Sequence, residues 1–314
     1  MEMVYWEPGY ISNTGGGLAA LGTFDGVHLG HQVLIQSMVR QAQAINAPSL
    51  VVTFEPHPRD VISGYQHGNR LTPLSLKAKL FSELEVQSLV VMPFTEGIRN
   101  LMPEAFVRQV LLDSLKVKHI FVGENFRFGM NGTGDPSMLR LLGAELDFHV
   151  AQQPPVYLHE KMVSSTLIRD MLSDGQVEEA AKYLRRNYQI SGKVIKGDMR
   201  GRTLGFPTAN LMIDPGILVP AVGVYGVWVY HQGKRLMGMA NIGIRPTFRG
   251  ATELEIRLEV NILDFSADIY GDTLDVDFVF RVRDETMFSG PAALVAQLEK
   301  DHMVIRNRLQ SAGL

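Results

Sequence analysis

LAALGTFDGVHLGHQVLIQSMVRQAQA, Leu18–Ala44, is the stretch whose reading decides the fold of the first half. It opens as an apolar run, Leu18–Phe24, that stops at Asp25-Gly26. Beyond the turn, Leu29, Val33, Leu34, Met38 and Ala42 recur at helical spacing, which predicts a helix over Leu29–Ala44. A helix start exposes backbone N–H groups that have no partner within the helix, and these favour phosphate. Gly22, Thr23 and Phe24 lead into this turn, and His28 and His31 lie three apart, able to share one side of the first helical turn. Two imidazoles there can donate to phosphate oxygens during attack at phosphorus, and Gly30 between them leaves room for a nucleotide base. The plainer reading is a pair of surface histidines at a helix cap. Zinc is a weaker reading, because the glutamate of HExxH is missing and the chain has no cysteine.

Outward from that stretch the pattern repeats. Leu50–Phe54, Leu89–Met92 and His119–Val122 are short buried-type strands, with helical stretches Leu76–Glu85 and Pro103–Leu115 between them. Strands spaced by helices imply a parallel sheet with ligands at its carboxyl edge. Two further segments fall to that edge. GENFRFG, Gly123–Gly129, offers Asn125 for hydrogen bonding, or is only a tight loop with two core phenylalanines. Ser164-Ser165-Thr166 precedes an amphipathic helix carrying Arg169, which reads as a cap or as a phosphate grip.

The second half changes period near Tyr188. Ile190–Ile195, Val224–Tyr230, Gly238–Ile242, Glu253–Leu263 and Thr273–Val282 read as strands, and a helix returns only over Ala292–Leu309. This predicts an antiparallel sheet or barrel closed by one C-terminal helix. The expected domains are therefore 1–186, an α/β unit, and 187–314, a β-barrel. KGDMRGRTLGFPTANL, Lys196–Leu211, has Gly197, Gly201 and Gly205 to expose N–H groups to a polyphosphate, although GxxxxGK[ST] is absent. Thr208 and Asn210 are hard oxygen donors two apart that suit Mg²⁺, or mark an ordinary Pro-initiated turn. Glu259 lies in LEIRLEVNIL on the face opposite Leu258 and Val260, as a general base or as a solvated carboxylate.

Composition bounds these readings. The 314 residues carry a net charge of −3 and 46% hydrophobic residues, enough for two cored domains. Residues 1–187 hold 16 basic and 19 acidic side chains, and 188–314 hold 14 of each, so neither half has a nucleic-acid binder's basic excess. No apolar run reaches the ~20 residues that span a membrane, and MEMVYWEPGY does not read as a signal peptide. Absence of cysteine fits a reducing compartment, so a cytoplasmic location is expected.

The chain resembles the prokaryotic bifunctional riboflavin kinase/FAD synthetase family through ten segments in family order. These are GTFDGVHLGH, TFEPHPR, GENFRFG, VSSTLIRDML, GRTLGFPTANL, GVYGVWV, NIGIRPTF, LEVNILDF, IYGDTLDVDF and RVRDETMF. The resemblance implies a nucleotidylyltransferase-type (Rossmann-like) α/β domain followed by a riboflavin-kinase barrel with a C-terminal helix. The barrel would phosphorylate riboflavin with ATP to FMN and ADP. The first domain would adenylylate FMN with ATP to FAD and pyrophosphate, and Mg²⁺ would serve both. It implies that His28, His31, Asn125, Ser164, Ser165, Thr166 and Arg169 serve adenylylation. Thr208 and Asn210 would hold the metal nucleotide, Glu259 would act as base, and Arg283 and Phe288 would border the flavin. The sequence departs from the family at Asn125, often Asp, and at Tyr183–Tyr188, where the usual linker glycine is missing. The alternatives are a monofunctional kinase with a drifted first domain and a flavin-binding protein without turnover. No nucleic-acid or membrane partner is expected, and transient self-association stays open.

Overall fold

A computed structural model describes residues 1–12, 17–64, 69–197, 205–246 and 254–312. Gly201 of the glycine-rich loop lies outside them, as does most of that loop. The chain forms two compact units, Met1–Gln66 with Arg70–Ser165, and Thr166–Leu314 with His67–Asn69.

The first unit is a six-stranded parallel sheet. In chain order its elements are β1 (Glu2–Tyr5), β2 (Leu18–Leu21), α1 (Leu29–Ala44), β3 (Ser49–Glu55), α2 (Pro58–Ser63), α3 (Leu74–Glu83), β4 (Ser88–Pro93) and α4 (Glu96–Arg99). There follow α5 (Pro103–Ala105), which continues as a π-helix over Phe106–Ser114, then β5 (His119–Gly123), α6 (Pro136–Leu146), β6 (His149–Gln153) and the small antiparallel pair β7 (Tyr157–Leu158) and β8 (Lys161–Met162). The strand order is β1-β4-β3-β2-β5-β6, every pairing parallel. The order reverses at β2, the strand that feeds the His28 turn, which is where ligands of open α/β sheets collect. The strands read as unbroken apolar runs because both faces are buried. Ala19, Leu21, Val52 and Val90 pack with the π-helix and α6 on one face, while Leu18, Ala20, Val51 and Leu89 pack with α1 on the other.

The second unit contains α7 (Ser165–Ser173, from Thr166), α8 (Val177–Leu184), β9 (Tyr188–Ile195), β10 (Ala209–Ile213), β11 (Gly223–His231), β12 (Lys234–Pro246), β13 (Leu254–Ile262), β14 (Thr273–Arg283) and α9 (Pro291–Ala312). Its six strands close into an antiparallel barrel in the order β10-β13-β12-β11-β14-β9. Tyr188, Ile190, Val227, Val229, Ala240, Leu258, Val260, Val276 and Phe278 alternate into the interior, and the alternation breaks where the β11–β14 register shifts, between Gly226 and Val227. On the outside, Val224, Met239 and Phe280 pack with Ile305 and Leu309 of α9. The expected barrel with a closing helix is what folds.

Three details refine the expectations. The first strand stops at Leu21 rather than Phe24, because Phe24 takes a left-handed φ of 48° that no strand accommodates. The linker without glycine is met by Arg185, which adopts φ 60° at the C-cap of α8, the conformation usually given to glycine. The compact units divide at Ser165/Thr166, ahead of the 186/187 boundary expected for the activity-bearing domains, since α8 packs on β14 and β9.

Candidate active sites

In the first unit the Thr23–His28 turn is held in a shape the backbone resists. Phe24 and Val27 both carry positive φ, 48° and 42°, and Val27 is β-branched, so the turn costs of order 1–3 kcal/mol at each. Buried bonds oppose that cost. The Asp25 carboxylate accepts from the backbone N–H of Leu71 at 2.9 Å and of Thr72 at 3.1 Å. Gly26 N–H donates to the Thr72 hydroxyl at 3.1 Å. The Thr23 carbonyl accepts from Lys77 Nζ at 2.9 Å and from the Thr53 hydroxyl at 3.1 Å. Ser165 Oγ donates to the Asp25 carbonyl at 2.7 Å. Asp25 and Lys77 are both buried, and burial pushes the Lys77 ammonium below its usual range against the pull of Asp25 and Glu55.

What this turn delivers is His28 at the N-cap of α1. Its Nδ1 accepts from the His31 backbone N–H at 3.3 Å. Acceptance at Nδ1 means that the neutral ring carries its hydrogen on Nε2, as a donor. The His31 ring stacks on it, centroids 3.6 Å apart and 15° between planes, and meets Phe24 edge-on at 5.3 Å. The expected pairing of the two imidazoles on one side of the first turn is therefore present. Gly30 has a reason closer to hand than a nucleotide base: a Cβ there would stand 3.3 Å from the His28 ring. Gly22 is similar, with the Phe24 ring 3.1 Å from where its Cβ would be.

The other expected residues divide. Asn125 is exposed in the turn after β5, at the carboxyl edge of the sheet that also carries the His28 turn. Ser164 is half-buried just ahead of α7, and Ser165 reaches the Asp25 carbonyl. Thr166 and Arg169 fall in the second unit, where Arg169 Nε donates to the Asn69 carbonyl at 2.6 Å. Sequence reading missed Asp25, Thr72 and Lys77. Only Asp25 carried a signal, as an acidic residue inside an otherwise apolar strand end.

In the second unit the site is set by ladder register. Asn210 on β10 lies directly across from Glu259 on β13, and Glu259 lies directly across from Asn241 on β12. Directly opposed residues share a face, so the three side chains form one row, about 5 Å between neighbours. That face is the outside of the barrel, because Leu258 and Val260 on either side of Glu259 point into the filled interior. Glu259 is half-buried there. Gly197 is needed by Asn210: a Cβ at 197 would fall 2.8 Å from Asn210 Oδ1 and closer still to the rest of the amide. Gly205 supplies a φ of 83° to the turn ahead of Pro207. Asn261, two residues beyond Glu259, donates from Nδ2 to the Pro207 carbonyl at 2.8 Å.

Beside Thr208 opens a cleft of about 520 Å³, walled by Val194, Val260, Ile262, Phe265, Ile269 and Tyr270. A second structural clasp holds the segment after β14. Arg283 grips the buried Asp301 of α9 through Nε at 2.9 Å and Nη2 at 2.8 Å, while its guanidinium lies 5.6 Å from the Phe288 ring. The two residues expected to border a flavin are thus brought together. Among the described residues no group of three or more His, Cys, Asp or Glu could hold a metal ion.

The first unit is thus a parallel sheet with two stacked imidazoles at a helix start, and the second a barrel with a carboxylate in one row with two amides, an arrangement of the kind that nucleotide-using transferases present. Comparison with known proteins gives the family. A model described as FAD synthetase matches residues 11–167, and one described as riboflavin kinase matches 184–309. Bifunctional riboflavin kinase/FMN adenylyltransferase of Listeria monocytogenes is 39% identical over 288 residues, 91% of this chain and 90% of that one. The protein of the same description from Escherichia coli K12 is 35% identical over 292 residues, 93% and 92% of the two chains. A crystal structure from Streptococcus pneumoniae described as a macrolide-efflux protein is 32% identical, with TM-score 0.88, over 98% of this chain and 99% of that one. No helix among the described residues is long and apolar enough to cross a membrane. The chain belongs to the bifunctional riboflavin kinase/FMN adenylyltransferase family.

Proposed function

We propose that the chain carries both reactions of its family, each in its own unit: riboflavin and ATP give FMN and ADP in the barrel, and FMN and ATP give FAD and pyrophosphate in the α/β unit. Matches to both family models leave the monofunctional alternative without support. ATP is the co-substrate of both halves, and a cytoplasmic location follows from that dependence.

For the kinase, one observation carries the reading: the register that lines up Asn210, Glu259 and Asn241 on one outer face. Glu259 takes the proton of the terminal ribityl hydroxyl as its oxygen attacks the γ-phosphorus of ATP, and ADP leaves. The donor set fits Mg²⁺, since a hydroxyl and an amide oxygen are hard ligands and Gly197 leaves Asn210 room. Thr208 and Asn210 would hold it, and when bound it would supply charge neutralisation on the phosphates. The apolar walls of the cleft beside Thr208 suit the base of the nucleotide. Phe288, with Arg283 clasped to α9, borders the flavin.

For adenylylation, a phosphate oxygen of FMN attacks the α-phosphorus of ATP and pyrophosphate leaves. His28, its hydrogen fixed on Nε2 by the cap, donates to the phosphate oxygens beside His31 at the start of α1. Gly22, Thr23 and Phe24 form the turn behind them. Asn125, Ser164 and Ser165 of the same unit complete that site, and the resemblance assigns Thr166 and Arg169 to the same reaction.

The test is incubation with riboflavin and ATP·Mg²⁺, the products separated by chromatography, with and without added FMN. FMN followed by FAD supports the reading. FMN alone, even with FMN supplied, would remove the adenylylation half, and unchanged riboflavin would remove the kinase.

A further inference from the structure

Asn261 is a buried polar residue that the reaction as described does not use. Its side chain is 5% exposed. A carbonyl can only accept, so the amide nitrogen must face the Pro207 oxygen, 2.8 Å away, and this fixes which way the amide points. Its Oδ1 is then buried with no donor among the described residues. A buried acceptor left in that state costs free energy, and such groups ordinarily have a purpose.

The register says which donor is nearest. Ala209 pairs with Val260 and Asn210 with Glu259. β10 begins at Ala209, and extending its register by one residue would set Thr208 across from Asn261, on the face shared with Glu259. Asn261 therefore joins the strand of the base to the entry of the segment that carries the oxygen donors.

Resting on the kinase reading above, we propose that Asn261 is a positioning residue for Thr208. Its Nδ2 holds Pro207, and its Oδ1 accepts the hydrogen of the Thr208 hydroxyl when that oxygen turns its lone pairs to a divalent cation. Groups that bind metals commonly donate to an outer partner of this kind, and loss of the partner weakens metal affinity 10–100-fold. The arrangement also explains the choice of an amide, which must donate to a carbonyl and accept from a hydroxyl at once.

The experiment measures ADP binding by calorimetry with and without Mg²⁺, on the full chain. Asn261→Leu keeps the volume and removes both hydrogen bonds. It should lose about 10–100-fold of the Mg²⁺-dependent tightening while metal-free ADP binding changes little. Thr208→Val should lose the same increment, and the double variant should lose no more than either alone, because the two act as a unit. Full additivity, or an intact Mg²⁺ increment in the Asn261 variant, would overturn the inference. If the Leu variant does not fold, Asn261→Ala is read in the same way. An intact increment in Thr208→Val would instead overturn the assignment of Thr208 itself.

Discussion

In the first unit the proposed reacting groups follow a turn with two non-glycine residues at positive φ, whereas in the second they sit on regular antiparallel strands with unstrained pairing. The first site has to be held from outside. Thr53, Leu71, Thr72, Lys77 and Ser165 bond to a turn whose shape they did not choose. The second needs no such scaffold, because a ladder that closes into a barrel already fixes which side chains face which. The lesson is that mutations should act differently: at a distance in the first unit, and only at the side chains themselves in the second.

The sharpest form of that contrast is at Glu259. Glu259→Gln keeps size and hydrogen bonding but cannot take a proton. Kinase turnover should fall about 10²–10⁴-fold with little change in stability, and adenylylation of supplied FMN should continue. Steady-state FMN production and a denaturation curve check both halves. A Gln variant with near wild-type kinase turnover would reduce Glu259 to a solvated carboxylate.

His28→Ala comes next. It removes a donor and the cap of α1 together, so FAD formation should drop about 10²–10³-fold, and loss of a cap costs roughly 1 kcal/mol. FMN formation should persist. If both activities fall equally in a folded variant, the two sites are not separate.

Lys77→Met sharpens the comparison, because Lys77 is placed to act through the turn alone. Without the ammonium, the Thr23 carbonyl keeps only the Thr53 hydroxyl and the buried Asp25 loses its nearby cation. Displacement of His28 by a fraction of an ångström should slow adenylylation about 10–10²-fold, with the kinase untouched. The stability of the first unit should fall by about 1–3 kcal/mol, read by denaturant titration. Unchanged adenylylation would mean that the turn holds itself.

The contrast also explains what the sequence made legible. Period-two alternation in LEIRLEVNIL announced the barrel strand, and helical spacing announced α1 to the residue. The edge strands β1 and β6, the helix α6 and the short β10 went unread, being short or lacking a clean period. His28 and His31 were legible because a helix start was. Lys77 was not, since its partner Thr23 is 54 residues away and its bond is to a backbone carbonyl. Asn241 was hidden for a related reason: only the register between β12 and β13 brings it across from Glu259, and spacing within one strand carries no register. Asn261 shares the face of Glu259 by simple alternation, but its bond to the Pro207 carbonyl, 54 residues away, was not legible.

The mildest test lies at Gly197, and it asks whether the second site depends on backbone as the first does. Gly197 is not at positive φ, so alanine is tolerated by the backbone itself. The added Cβ would nonetheless fall 2.8 Å from Asn210 Oδ1, closer than a carbon that cannot hydrogen-bond approaches an oxygen. What it meets is the end of a side chain rather than a main-chain atom, so the amide swings away and the strand stays. A rotamer forced from its well costs about 0.5–1.5 kcal/mol, which corresponds to roughly 2–10-fold in rate if Asn210 must return for each turnover. Gly197→Ala should therefore slow the kinase by that factor, raise the ATP concentration it needs, and leave adenylylation and the denaturation midpoint nearly unchanged. A large loss of stability would show that Gly197 is required by the backbone after all, and the second site would then share the first one's dependence on a constrained main chain.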